Sequence, residues 1–150
     1  MFRDTQQQQQ QRGEDEFVNM IEPTKIDSTM VNGTYIMDEL DEELDQLFVE
    51  ISDLYDSHFP ELVTLLVDQL QYCQVIERMG DRCNANQCDL TFLIPNHLQN
   101  DILQSAQLSN GTSITLENLI KCQQLCTQYL SINTYRLQLT DYLINKLIIQ

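Results

Sequence analysis

The stretch Met37-Asp38-Glu39-Leu40-Asp41-Glu42-Glu43-Leu44-Asp45-Gln46-Leu47-Phe48-Val49-Glu50-Ile51-Ser52-Asp53-Leu54 decides the fold. Its residues Met37, Leu40, Leu44, Leu47, Ile51 and Leu54 recur in alternating steps of three and four. That repeat lines one side of an α-helix with a seam for a second helix. Asp38, Glu39, Asp41, Glu42, Glu43, Asp45 and Glu50 fall between the seam positions, where a helix projects them into water. Upstream, Ile26, Met30 and Gly33 continue the pattern and predict one helix from Ile26 to Tyr55. Gly33 is its weak point, costing about 1 kcal/mol relative to Ala in a helix interior.

Downstream, His58-Phe59-Pro60-Glu61-Leu62 reads as the start of a new helix. Pro60 fits a first turn that needs no backbone donor, and Glu61 suits the positive end of the helix dipole. Leu62, Leu65, Leu66, Leu70, Cys73, Val75, Ile76 and Met79 keep helical spacing up to Gly80, a capping residue, with Asp68 placed to split the run. Asp81 to Asn86 reads as a loop. The segment from Leu90 through Pro95 to Ala106 is expected to be helical, with Asn96 as a cap. Past the turn Ser109-Asn110-Gly111-Thr112, Thr115 caps a last helix that runs towards Gln150 without Gly or Pro. Leu125, Tyr129, Ile132, Leu139 and Leu143 form its stripe, with Arg136 occupying one seam position.

At 1.5 Å per residue the two long helices would be about 45 and about 50 Å in length. Shorter helices between them turn the chain round, so antiparallel pairing is the simplest arrangement. The fold class expected is all-α: an antiparallel long-helix coiled coil with a small helical cap.

Only 4 Gly and 3 Pro in 150 residues argue against a sandwich or barrel. Residues 1–24, with the tract Gln6 to Gln11 and few aliphatics, read as a disordered, Gln-rich acidic leader, and residues 25–150 as the folded part. The net charge of −15 repels phosphates, so this segment is expected to make no direct nucleic-acid contact and to favour protein partners, basic ones above all. No apolar window is long enough for a membrane span. Five Cys behind a start that lacks a signal-peptide core suggest a reducing compartment, in which the Asn32-Gly33-Thr34 and Asn110-Gly111-Thr112 glycosylation patterns are chance.

No catalytic constellation stands out, and neither cofactor nor metal is called for. Cys83, Cys88, Cys122 and Cys126 could supply four thiolates, but their spacing departs from that of zinc modules, and Cys126 reads as core filling. His58 and His97 sit beside helix starts without a nucleophile at hand and read as structural. The four glycines are isolated, so no phosphate loop is formed.

Taken in order, Asp38 to Leu44, His58-Phe59-Pro60-Glu61-Leu62, Tyr72-Cys73, Gly80-Asp81-Arg82, Asn110-Gly111-Thr112 and Tyr135-Arg136-Leu137-Gln138-Leu139 resemble the Nop-domain family across roughly residues 26 to 147. That family includes two nucleolar paralogues of the box C/D small nucleolar ribonucleoprotein, an archaeal counterpart and a splicing factor of the tri-snRNP. Gly80-Asp81-Arg82 and Leu125-Cys126-Thr127-Gln128 are most similar to the nucleolar pair, and Leu93 through Ile114 to the branch of nucleolar protein 58. The splicing relative fits less well.

The resemblance implies a scaffold and not an enzyme. In the family a coiled coil joins two paralogues, an N-terminal domain docks the methyltransferase fibrillarin, and a basic C-terminal half grips RNA. Only the coiled-coil module is matched here, and the RNA-binding half is expected to be absent. The implied partners are a paralogous Nop-family protein through the coiled coil and, indirectly, box C/D RNA; the implied setting is the nucleolus, in support of rRNA 2′-O-methylation and pre-rRNA processing. A tri-snRNP factor and a stand-alone helical adaptor are the alternatives. By resemblance the seam residues carry the packing, and His58, Phe59, Pro60, Glu61, Leu62, Gly80, Asp81, Arg82, Gly111, Tyr135, Arg136 and Gln138 are family landmarks.

Overall fold

The computed structural model describes residues 26–148. The leader expected at 1–24 lies outside the described residues. Among the described residues the chain is all-α, without a strand: α1 (Ile26–Tyr55), α2 (Leu62–Leu65), α3 (Gln69–Met79), a 3-10 helix (Arg82–Gln87), α4 (Asn96–Leu108) and α5 (Leu116–Ile148). The long helices α1 and α5 pack together. Both run through two compact units: the first takes residues up to Glu42 and from Asn133, the second Glu43–Ile132.

In the first unit the two helices run antiparallel. Asp41 meets Arg136, Met37 meets Thr140 and Gly33 meets Leu143, so partner numbers rise as α1 numbers fall. Leu139 and Leu143 are buried against Met30, Ile36, Met37, Leu40 and Tyr142. Gly33 owes its place to this contact, because a Cβ there would come within 2.7 Å of a terminal carbon of Leu143. The weakness foreseen for a helical glycine is thus offset by close helix packing.

The second unit holds the larger core. Leu44, Leu47 and Ile51 of α1 join Phe59, Leu62, Leu66, residues of α3, and Cys122, Cys126 and Tyr129 of α5. Along Leu44 to Leu54, α1 shares this core with α5 and also with the short helices between them. At the C-terminal end of α1, Tyr55, Tyr72 and Phe59 are all fully buried. Tyr72 stands edge-on to Phe48 and Tyr55, and the Tyr55 hydroxyl donates to the Gly80 carbonyl.

The short elements follow local chemistry. Asp68 breaks the run, accepting from the Leu70 amide at 2.8 Å as the cap of α3. Gly80 ends α3 with φ 67°, in the region that favours glycine. Asp81 to Asn86, expected as a loop, instead falls largely within the 3-10 helix Arg82–Gln87, capped by Asp81 through the Cys83 amide. Leu90 to Ile94, expected as helix, is a turn. Asp89 ties back the Thr91 amide and hydroxyl, and Pro95 disfavours a helical Ile94. The cap of α4 is Pro95, whose carbonyl accepts from Leu98 and Gln99, while Asn96 is its first residue. Thr115 Oγ1 accepts from the Asn118 amide at the start of α5.

Candidate functional site

The C-terminal end of α1 is followed by a turn in which His58 is almost wholly buried, at 2% exposure. Its Nδ1 lies 2.8 Å from the Thr112 carbonyl, and its Nε2 accepts from the Arg82 amide at 3.0 Å. Both contacts are satisfied by the neutral ring with its proton on Nδ1. The Arg82 guanidinium donates to the His58 carbonyl and, at 3.3 Å, to the Thr112 carbonyl. Asp81 Oδ1 stands 3.3 Å from His58 Nε2. Burial pushes the Asp81 carboxyl up, but bonds from Cys83 and the Arg82 charge outweigh it and hold the group below its ordinary range.

Three segments distant in sequence are thereby tied together: 57–61, 80–83 and 109–112. The third is locked from two sides. Thr112 donates its amide to the Ser57 carbonyl at 2.8 Å, and Glu61 accepts from Ser109 Oγ at 2.7 Å and from the Asn110 amide at 3.1 Å. Burial pushes the Glu61 carboxyl up, yet these bonds and the Arg82 charge bring it below its ordinary value. The sequence pattern sets Glu61 against the dipole of a new helix; its carboxylate instead fastens the 109–112 loop, and α2 is only four residues long. Gly111 sits where no side chain fits, since a Cβ would lie 1.8 Å from the His58 carbonyl oxygen.

Five landmark positions, His58, Glu61, Asp81, Arg82 and Gly111, meet in this cluster, and Gly80 adjoins it as the residue before Asp81. Phe59 and Leu62 are fully buried beside it, whereas Pro60 is exposed. Tyr135, Arg136 and Gln138 belong to the other unit: Tyr135 and Arg136 are half-buried, Gln138 is exposed, and Arg136 Nη2 reaches Asp41 Oδ2 at 3.2 Å. Of the seam residues, Leu44, Leu47, Ile51, Tyr129, Leu139 and Leu143 are buried, and Met37, Leu40, Leu54, Leu125 and Ile132 are half-buried. Ser57, Ser109 and Thr112 take part without having been marked as site residues by the sequence, although the turn composition of 109–112 was the available signal.

The remaining candidates separate. Cys83 is exposed and Cys88 half-buried, while Cys122 and Cys126 are buried with Cys73. A bond from Cys126 and burial push the Cys122 thiol up. No group of metal-binding side chains is found among the described residues. His97 is exposed on α4. Asp38, Glu39, Glu42, Glu43, Asp45 and Glu50 face solvent along α1. No helix among the described residues is long and apolar enough to cross a membrane.

Residues 36–149 match the family described as "Nop: snoRNA binding domain, fibrillarin". The chain belongs to the Nop family. Among curated Nop-family relatives, human nucleolar protein 58 is 34% identical over 82% of this chain and 23% of its own length. Nucleolar protein 58 of Neurospora crassa is 35% identical over 83% of the chain and 21% of its own length. The probable nucleolar protein 5-2 of Arabidopsis thaliana is 33% identical over 79% and 22%. The chain therefore spans less than a quarter of the length of these Nop-family proteins. The family resemblance carried by the landmark residues is confirmed, while the snoRNA binding named in the family's description stands against a net charge of −15.

Proposed function

We propose that this chain is a helical scaffold segment of a box C/D small nucleolar ribonucleoprotein, acting in the nucleolus. It would hold a paralogous Nop-family protein and so support rRNA 2′-O-methylation and pre-rRNA processing. The observation that carries this reading is the family match across residues 36–149, together with relatives named nucleolar protein 58. RNA enters the particle through the partner and not through this segment. The acidic face of α1 and the net charge of −15 favour a protein partner over a phosphate backbone.

A tagged chain expressed in nucleated cells tests the proposal, with a full-length Nop-family protein as the positive control. Recovery of a Nop paralogue together with box C/D RNA supports it. Recovery of neither, or of spliceosomal RNA in place of box C/D RNA, overturns it. A gel-shift with the purified chain separates the second claim, because retention of box C/D RNA at about 0.15 M salt would show direct contact.

A further inference from the structure

The chain holds two asparagine-glycine pairs, Asn32-Gly33 and Asn110-Gly111. Such a pair is chemically exposed, since glycine offers no Cβ to shield its backbone nitrogen from the preceding carboxamide. The two occupy opposite settings. Asn32-Gly33 lies inside α1, where helical hydrogen bonding commits each amide to the preceding turn, and Gly33 is buried under Leu143. Asn110 is exposed in the irregular segment between α4 and α5.

Packing keeps the reactive pair in place, because position 111 accepts no side chain beside the His58 carbonyl. It also restrains it. The Gly111 amide donates to Ser109 Oγ at 3.1 Å, and Ser109 Oγ in turn donates to Glu61 Oε2. For the amide nitrogen to act, it must leave the Ser109 hydroxyl.

We infer that Asn110 is a self-modification site, converted through a cyclic imide to aspartate and isoaspartate, with Ser109 as the latch that sets its pace. The Gly111 nitrogen gives its proton to a solvent base and forms a bond to Asn110 Cγ. The Cγ–Nδ2 bond breaks, and ammonia leaves after taking a proton from solvent. Water then opens the ring at one of its two carbonyls, giving aspartate or isoaspartate. Either product adds a carboxylate beside Glu61. Isoaspartate also lengthens the main chain by a methylene next to Gly111, where there is no room, and so loosens 109–112 from His58 and Ser57.

The purified full chain is aged at mildly alkaline pH and its peptides are mapped by mass spectrometry, with methyl acceptance from an isoaspartyl methyltransferase as a second readout. Product is expected at position 110 and not at 32. Asn110→Gln abolishes it. Ser109→Ala frees the Gly111 amide and speeds accumulation by about two- to tenfold, the range one hydrogen bond is worth. An intact Asn110 in the folded chain, under conditions where the urea-unfolded chain reacts at both pairs, overturns the site. An unchanged rate in Ser109→Ala overturns the latch.

Discussion

Replacing Gly111 with alanine forces a Cβ to within 1.8 Å of a backbone oxygen, that of His58, which has no rotamer by which to withdraw. The loop must move, and Thr112 then leaves both Ser57 and His58. Gly111→Ala should cost more than about 3 kcal/mol, read as a fall in the urea midpoint. Gly33→Ala meets only the flexible end of Leu143 and should cost less. Glu61 gives a pH signature. Its folded pKa lies below the 4.5 of the free side chain, so its contribution is present above that pH and is lost as acid drives it through the folded value. Glu61→Gln should therefore be less stable than the parent at neutral pH, and the gap in urea midpoints should close on acidification below 4.5.

At the scale of elements, α1 and α5 were legible because a three-and-four repeat needs nothing but a helix to make sense of it. The Asp68 break and the Thr115 cap were legible for a related reason, since each depends on a bond to an amide two or three residues away. What escaped were features decided by distant neighbours. Leu90 to Ile94 is apolar because Leu90 and Ile94 are buried, not because it is helical. The role of Glu61 is set by Ser109, 48 residues away, and no local pattern announces it. Leu44 and Leu47 share one core with Tyr129 of α5 and with Tyr55 and Tyr72, and the repeat on α1 does not show the last two. Leu47→Ala should cost about 2 to 5 kcal/mol, whereas Leu137→Ala, at an exposed position on α5, should stay within about 0.5 kcal/mol. Thermal unfolding of the pair tests the contrast. The Asp41–Arg136 pair is half open to solvent and contributes at most about 1 kcal/mol.

For the whole molecule the dominant fact is a charge of −15 on 150 residues. Self-repulsion of that size opposes compactness and is screened by salt. Raising ionic strength from about 0.01 to about 0.15 M shortens the reach of each charge from about 30 to about 8 Å. The melting temperature should rise over that range; a fall would mean that ion pairs such as Asp41–Arg136 outweigh the repulsion. The cysteines add a different kind of reporter. Cys83 is open to solvent, whereas Cys73, Cys122 and Cys126 are sealed in the core. An alkylating dye should colour the native chain at Cys83 first, with the sealed three responding only when the interior breathes. Delayed uptake at those positions turns the molecule into its own stopwatch for opening, with no label engineered in.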